Sequence, residues 1–328
     1  YPNIPVIKQS INLGLKNYDL PKIFYDSTPC PNRQKGGSEE AEKLLSTFLN
    51  SRGENYQFEM SSPISAEKSC SRLSTHLTYG TISHRSVFQE ATQKKEKIQL
   101  TNKNFAKSIN SFLSRLHWRS HFIQKLEDQP SIEHESFIPV YDQIREKDFR
   151  KLDAWIEGKT GVHFIDACMI YLRNHGWINF RMRAMLASFA SYNLWLDWRY
   201  FGPRLAALFT DFEPGIHYSQ LQMQSGTTGI NTIRMYNPYK QALDQDPEAK
   251  FIKSQLPEYN NFPPSYFYKP PELSNNKNLF NNSKLETIVD VTKTAKFARD
   301  KIFSIRKLPE HQKMAKNVFI RHGSRQNR

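Results

Sequence analysis

Residues 176–199, which read GWINFRMRAMLASFASYNLWLDWR, are the strongest constraint on how this chain folds. The stretch is mostly apolar, but Arg181, Arg183 and Asp197 interrupt it. No uncharged apolar run therefore reaches the roughly 18 residues that a membrane span requires. A guanidinium inside an apolar interior needs a charged or hydrogen-bonding partner. The pattern predicts a buried helix over 177–198 whose arginines meet such a partner.

The rest of the chain is also typical of helices. Apolar residues recur at helical spacing, whereas alternating β-branched runs are nearly absent before 231–236. Further helices are predicted at 83–95, 102–126, 162–175 and 203–210. We expect an all-α fold. Its predicted parts are an extended arm at 1–35, a helical domain at 36–256, an irregular Pro/Asn-rich connection at 257–282 and a basic helical tail at 283–328.

The charge of the chain predicts an acidic partner. The sequence holds 46 Lys and Arg against 32 Asp and Glu, a formal net charge of +14. Residues 283–328 contribute 12 basic against 4 acidic residues, which favours a polyanion-binding arm. Two alternatives stay open for this tail: a solvated helix pair packed on the body, or a surface that binds a protein partner.

Other motifs mainly exclude functions. Three scattered cysteines favour a reducing, intracellular compartment, and no His or Cys set has metal-ligand spacing, so no metal is expected. The string GKTG at 158–161 follows a charged helical segment, not a buried strand, which excludes a nucleotide P-loop. In CSRLSTHL at 70–77, two serines and an arginine precede a helical turn. That set suits a pyrophosphate, although Ser-x-x-Ser is also an ordinary helix cap.

Several longer strings, in this order, resemble the photolyase/cryptochrome family, specifically its helical flavin-binding domain. They are CSRLSTHLTYGTIS (70–83), LHWRSHF (116–122), the run from WIEGKTG to LWLDWR (155–199), TDFEP (210–214) and IRMYNPYKQALDQDPEAKFIKSQLPE (233–258). The likeness covers about 190 residues and does not include the α/β antenna domain that normally precedes this one. It implies an all-α domain that holds FAD non-covalently and supports light-driven electron transfer.

The resemblance assigns site residues by position. It implies phosphate-side contacts with FAD at Tyr56, Ser71, Arg72, Leu73 and Ser74. Arg183 and Asp211 match a pair beside the flavin ring, and His217 matches the residue that faces flavin N5. The remaining cofactor positions are Asn179, Arg181 and Glu213.

The chain also departs from the family on the substrate side. Phe180, Ala184 and Met223 replace residues that contact the lesion or relay electrons in photolyases, whereas Trp118 is kept. Of the usual relay of three tryptophans, Trp198 is the one that remains, so His217 and Trp198 are the candidate catalytic residues.

Three functions remain possible at this stage. A photolyase-like enzyme, a carbon–carbon lyase, would repair a damaged pyrimidine in DNA, including a single-stranded or atypical substrate. A cryptochrome-type photoreceptor would use the flavin without repair. A structural or binding module would keep the domain for its shape alone.

Overall fold

The computed structural model describes residues 29–270 and 287–323. Most of the predicted arm at 1–35 lies outside these residues. The same holds for part of the predicted connection and the start of the tail (271–286) and for the last five residues.

The predicted all-α fold is confirmed. The described residues contain no strand, only an isolated bridge between Glu146 and Leu196, and residues 231–236 form no regular secondary structure. None of the described helices has the length and apolarity that a membrane crossing needs. The α-helices are α1 Ser38–Thr47, α2 Tyr56–Glu59, α3 Ala66–Ser69, α4 Ser74–Thr78, α5 His84–Ile98, α6 Lys103–Asp128, α7 Phe149–Ile156, α8 His163–His175, α9 Phe180–Ser188, α10 Trp198–Ala206, α11 Pro214–Ser225, α12 Pro238–Gln245, α13 Lys250–Gln255, α14 Val291–Arg306 and α15 Pro309–His322. Short π-helical turns cover Phe48–Arg52 and Phe189–Asn193, and 3₁₀ turns cover Pro130–Glu133, Pro139–Tyr141, Pro257–Tyr259 and Pro264–Tyr268.

The prediction of one helix over 177–198 is wrong. Helix α9 ends at Ser188, a π-helical turn follows, and Trp195 adopts a left-handed φ of 57° before α10 begins at Trp198. The helix predicted at 203–210 coincides with α10 only over 203–206, because α10 ends at Ala206.

Contacts with distant residues hold this break in place. The indole Nε1 of Trp195 donates to the Ile144 carbonyl (2.8 Å). The amide of Asn193 donates to the Val291 carbonyl (3.0 Å) and to Thr294 Oγ1 (3.1 Å). Backbone groups of the break bond to Glu146: its N–H donates to the Trp195 carbonyl (3.1 Å), and its carbonyl accepts from the Asp197 N–H (3.3 Å).

Two hydrophobic clusters flank the centre of the molecule. One is built on α8 to α13, and the other joins α1, α5 and the first half of α6. Helices α6 and α11 meet between them at Gly215, where an added Cβ would lie 2.7 Å from the Ile123 Cα atom. Only glycine allows this approach, which brings the start of α11 against α6.

The two helices of the basic tail pack on the body. Ala298 and Ile302 of α14 and Val318 of α15 are buried in a third cluster with Ile138 and Trp195. Many of the basic side chains lie on the opposite, exposed face; Lys293, Lys296, Arg299 and Lys301 are examples. The described part of the tail is thus a packed helix pair with a basic outer surface.

Candidate functional site

A cavity of about 510 Å³ lies between the two flanking clusters. Its walls come from the segment between α3 and α4, one face of α6, the start of α9 and one face of α11. The volume is in the range of small-molecule sites. The cavity brings together these predicted residues: Tyr56, Ser71, Arg72, Leu73, Ser74, Trp118, Asn179, Phe180, Arg181, Arg183, Ala184, Asp211, Glu213 and His217.

Arg183 and Asp211 form the ion pair that the sequence led us to expect. Arg183 Nη1 and Nη2 donate to Asp211 Oδ1 (3.0 Å) and Oδ2 (2.8 Å), and Nε donates to the Ile178 carbonyl (2.7 Å). The guanidinium also lies over the ring of Phe209, 4.2 Å from its centroid. The Asp211 side chain is 2 % exposed, so the pair is a fixed, bidentate element of the cavity wall.

Arg72 occupies a left-handed backbone position with φ of 62°, and its carbonyl accepts a hydrogen bond from Gln34 Nε2 (2.7 Å). Its guanidinium lies 3.8 Å from the ring centroid of Trp177. Burial lowers the pKa of Arg72 and raises that of the neighbouring Cys70 thiol to about 12, so the cysteine remains a thiol at neutral pH. Nη1 of Arg72 is buried without a hydrogen-bond partner.

Unsatisfied polar atoms recur around the cavity. The Asn179 amide donates to the carbonyls of Met60 (3.0 Å) and Ser61 (2.8 Å), but its Oδ1 has no partner. Arg181 Nε and Gln220 Nε2 are also buried without partners. Buried polar groups are nearly always hydrogen-bonded in folded proteins. With Arg72, four wall residues therefore offer polar atoms that fit a large, polar ligand such as one bearing phosphates.

His217 lies on α11, one turn after Glu213. Its Nε2 is 2.9 Å from the Gly202 carbonyl, and because a carbonyl can only accept, Nε2 carries a proton. Burial lowers the pKa of His217 to about 4, so the ring is neutral at neutral pH and Nδ1 is an acceptor. Glu213 is paired with Arg119, whose Nη2 lies 3.2 Å from Glu213 Oε2. Both acidic residues of the wall are thus neutralised by arginines.

Aromatic side chains remain half-exposed on the wall. Trp118 is 46 % exposed and Phe180 is 49 % exposed, although both line the cavity. The Arg115 guanidinium lies 4.5 Å from the Trp118 ring centroid. Ala184 is buried on the same helix as Phe180 and leaves space where a longer side chain would reduce the cavity.

Two predicted residues do not reach the cavity wall. Met223 is on α11, where His217, Gln220, Leu221 and Gln224 share the face toward the cavity at helical spacing, so Met223 points elsewhere. Trp198 is 1 % exposed and begins α10; its Nε1 donates to Ser136 Oγ (3.0 Å).

Trp198 still contacts the site indirectly. Its ring is 6.2 Å from that of Tyr218, which in turn is 5.2 Å from His217.

Sequence reasoning missed several wall residues. Arg115 and Arg119 belong to a face of α6 that runs through Phe112, Leu116 and Phe122 at steps of three and four. That periodicity was visible and predicted a buried face, but not that the face borders a cavity. Arg234, in the irregular segment after α11, carried no comparable signal. Within the described ranges, no three His, Cys, Asp or Glu side chains are placed to hold a metal ion.

Comparison with known proteins agrees with this geometry. Residues 112–304 match the family model described as the FAD binding domain of DNA photolyase. The chain belongs to the photolyase/cryptochrome family.

Individual members of the family are distant relatives. The deoxyribodipyrimidine photo-lyase of Halobacterium salinarum is 29 % identical over 266 residues, covering 76 % of this chain and 54 % of the relative. Cryptochrome-2 of Arabidopsis thaliana is 32 % identical over 246 residues, covering 71 % and 39 %. The crystal structure of an archaeal photolyase from Sulfolobus tokodaii with two FAD molecules is similar with a TM-score of 0.66 and 29 % identity, covering 83 % of this chain and 57 % of that one. The chain spans about half the length of the curated photolyases it matches.

The photolyase/cryptochrome domain is a flavoprotein domain with FAD as its cofactor. The cavity suits that group in its unsatisfied polar atoms and in its excess of arginines over acidic residues. The unpartnered atoms of Arg72 and Arg181 suit phosphate oxygens, while Asn179 and Gln220 suit a polar ring system.

Proposed function

We propose that this chain is the flavin-binding part of a photolyase-like enzyme that uses blue light to repair a damaged pyrimidine in DNA. When bound, FAD supplies light absorption and electron transfer. One observation carries the proposal: a polar cavity has half-exposed aromatic residues, Trp118 and Phe180, on its wall. Such residues can stack on a base that has left the duplex.

In this proposal the chain's own residues divide the work. Arg72, with Ser71 and Ser74 beside it, holds the phosphates of FAD. The Arg183–Asp211 pair places a fixed donor array beside the flavin ring, and neutral His217 offers an acceptor there. The net charge of +14 supports attraction of the DNA backbone.

Repair of ultraviolet-irradiated oligonucleotides tests the proposal. The protein, reconstituted with FAD, is illuminated with blue light in the presence of a reductant and a thymidine oligonucleotide carrying photoproducts. We expect recovery of thymine absorbance near its usual maximum in the light and none in the dark. Full FAD occupancy without any recovery on single- or double-stranded substrate would refute it.

A cryptochrome-type photoreceptor is the second candidate, and the substrate-side replacements favour it. Phe180 and Ala184 line the cavity at positions where the resemblance implies substrate-side residues in photolyases. A light-induced change of the bound FAD spectrum without repair supports this alternative. In this alternative, Trp198 relays electrons to the flavin and the basic tail binds a protein partner.

A further inference from the structure

A second concavity, with a volume of about 700 Å³, lies between residues 230–235 and helix α14. We call it the α14 groove. Three of its lining residues are Arg234, Arg299 and Arg306, and none is acidic. Phe303 lies among them and is 48 % exposed. The groove therefore combines positive charge with an open aromatic face.

The α14 groove adjoins the central cavity. Arg234 lines both, so the two concavities share a wall. Arg234 and Arg299 are exposed, which leaves both guanidinium groups accessible to a ligand. A polymer that places one unit in the central cavity can therefore reach the groove with the next units.

Arg306 gives the groove a partly fixed cation. Its Nη2 donates to the Asn231 carbonyl (2.7 Å), which anchors the guanidinium to the opposite wall. Its Nε is buried without a hydrogen-bond partner. The one acidic residue of α14, Asp300, does not line the groove. The groove thus holds unneutralised positive charge.

We propose that the α14 groove binds the phosphodiester backbone of a DNA strand beside the nucleotide that enters the central cavity, and that Phe303 stacks on a flanking base. Positive grooves with exposed aromatics are the usual means of holding single-stranded nucleic acid. The proposal rests on the proposed function in taking DNA as the ligand. It adds Arg299, Arg306 and Phe303 as binding residues.

Binding in the dark tests this inference apart from repair. The FAD-loaded protein is titrated with fluorescein-labelled single-stranded oligothymidylates of about 4 and about 16 nucleotides, which bracket common site sizes. The variants are Arg299→Gln and Phe303→Ser, both at exposed positions. Lys296→Gln is the matched control, because it removes one exposed charge from the same helix outside the groove. Far-UV circular dichroism checks that all variants are folded.

We expect Arg299→Gln to weaken binding of the longer strand by about three- to tenfold and to reduce the slope of log K against log salt by about 0.7. Phe303→Ser should weaken it by about fivefold or more. Lys296→Gln should change it less than about twofold. The strand of about 4 nucleotides should rank the four proteins in the same order, because a unit next to the one in the cavity already reaches the groove.

The outcomes separate the two proposals. Equal effects of Arg299→Gln and Lys296→Gln, or no effect of Arg299→Gln, overturn the groove inference and leave light-driven repair standing. Groove-dependent binding without repair supports the inference and refutes the proposed function. Loss of binding to anionic phospholipid vesicles, with DNA binding unchanged, identifies the groove as a membrane-binding surface and overturns the inference. No DNA binding by the unmodified protein overturns both proposals.

Discussion

Breaking the Arg183–Asp211 pair from one side should cost more than replacing it entirely. Arg183→Met leaves the Asp211 carboxylate, which is 2 % exposed, without its cation. Asp211→Leu leaves a guanidinium that is 26 % exposed and keeps one bond to Ile178. The double variant leaves neither charge in the wall.

The burial of each partner sets the magnitude. Removing one member of a buried pair costs about 3–5 kcal/mol, whereas replacing both by apolar groups is often close to neutral. We expect about 3–5 kcal/mol for Arg183→Met and about 2–3 kcal/mol for Asp211→Leu, whose remaining charge is better hydrated. The double variant should be more stable than Arg183→Met alone, with a coupling of about 2–3 kcal/mol.

Urea unfolding of the FAD-free protein, followed by far-UV circular dichroism, measures these free energies. The control cycle uses Arg204 and Asp153, an ion pair of 3.1 Å whose side chains are 53 % and 52 % exposed. Its coupling should stay below about 1 kcal/mol because water screens it. Additive effects at Arg183 and Asp211, or a coupling no larger than the control, would refute the reasoning.

Three further predictions concern the wall and the core. Gly176→Ala should lower the free energy of unfolding by about 1–3 kcal/mol, since φ is 63° and the added Cβ would overlap Thr210 Oγ1; unchanged urea stability contradicts this. Arg72→Gln should weaken FAD binding at least about tenfold with an unaltered far-UV spectrum, and equal affinity in a fluorescence titration would show that Arg72 does not hold the cofactor. Burial lowers the pKa of His163 to about 4, whereas the pKa of an unfolded histidine is near 6.5. His163 therefore leaves the free energy of unfolding unaffected above about pH 6.5. As the pH falls toward 4, it reduces that free energy by up to about 1.4 kcal/mol per pH unit. His163→Gln should flatten the fall in urea stability between pH 6.5 and 4, and an identical slope in both proteins is the opposing result.

Local patterns were enough to predict most of the helices, whereas the residues of the candidate site were predicted from the family resemblance. The buried arginine of α9 required a partner, and the chain supplies Asp211 across the cavity. The break after α9 was not predictable, because residues 189–197 are mostly apolar and contain no proline or glycine that would end a helix. Long-range bonds accompany the break, from Trp195 to Ile144 and from Asn193 to Val291.

The same limit applies to the cavity wall. Helical spacing places Arg115 and Arg119 on an inward face of α6, but whether such a face meets another helix or a cavity depends on the distance between elements. Arg234 lies in a segment without helical periodicity, and its place in both concavities follows from tertiary packing alone.

The hydrogen bonds of Asn193 determine how the tail can be studied. Asn193 lies one turn after α9, the helix that carries Arg183, and its amide donates to two atoms of α14. Deleting the tail would leave that buried amide unsatisfied and expose the side chains packed on Ile302. The deletion would therefore reduce the stability of the fold and remove basic residues at the same time. A loss of DNA binding after truncation could then come from a destabilised cavity wall or from the missing basic residues. Single substitutions on the outer face of α14 separate these two causes.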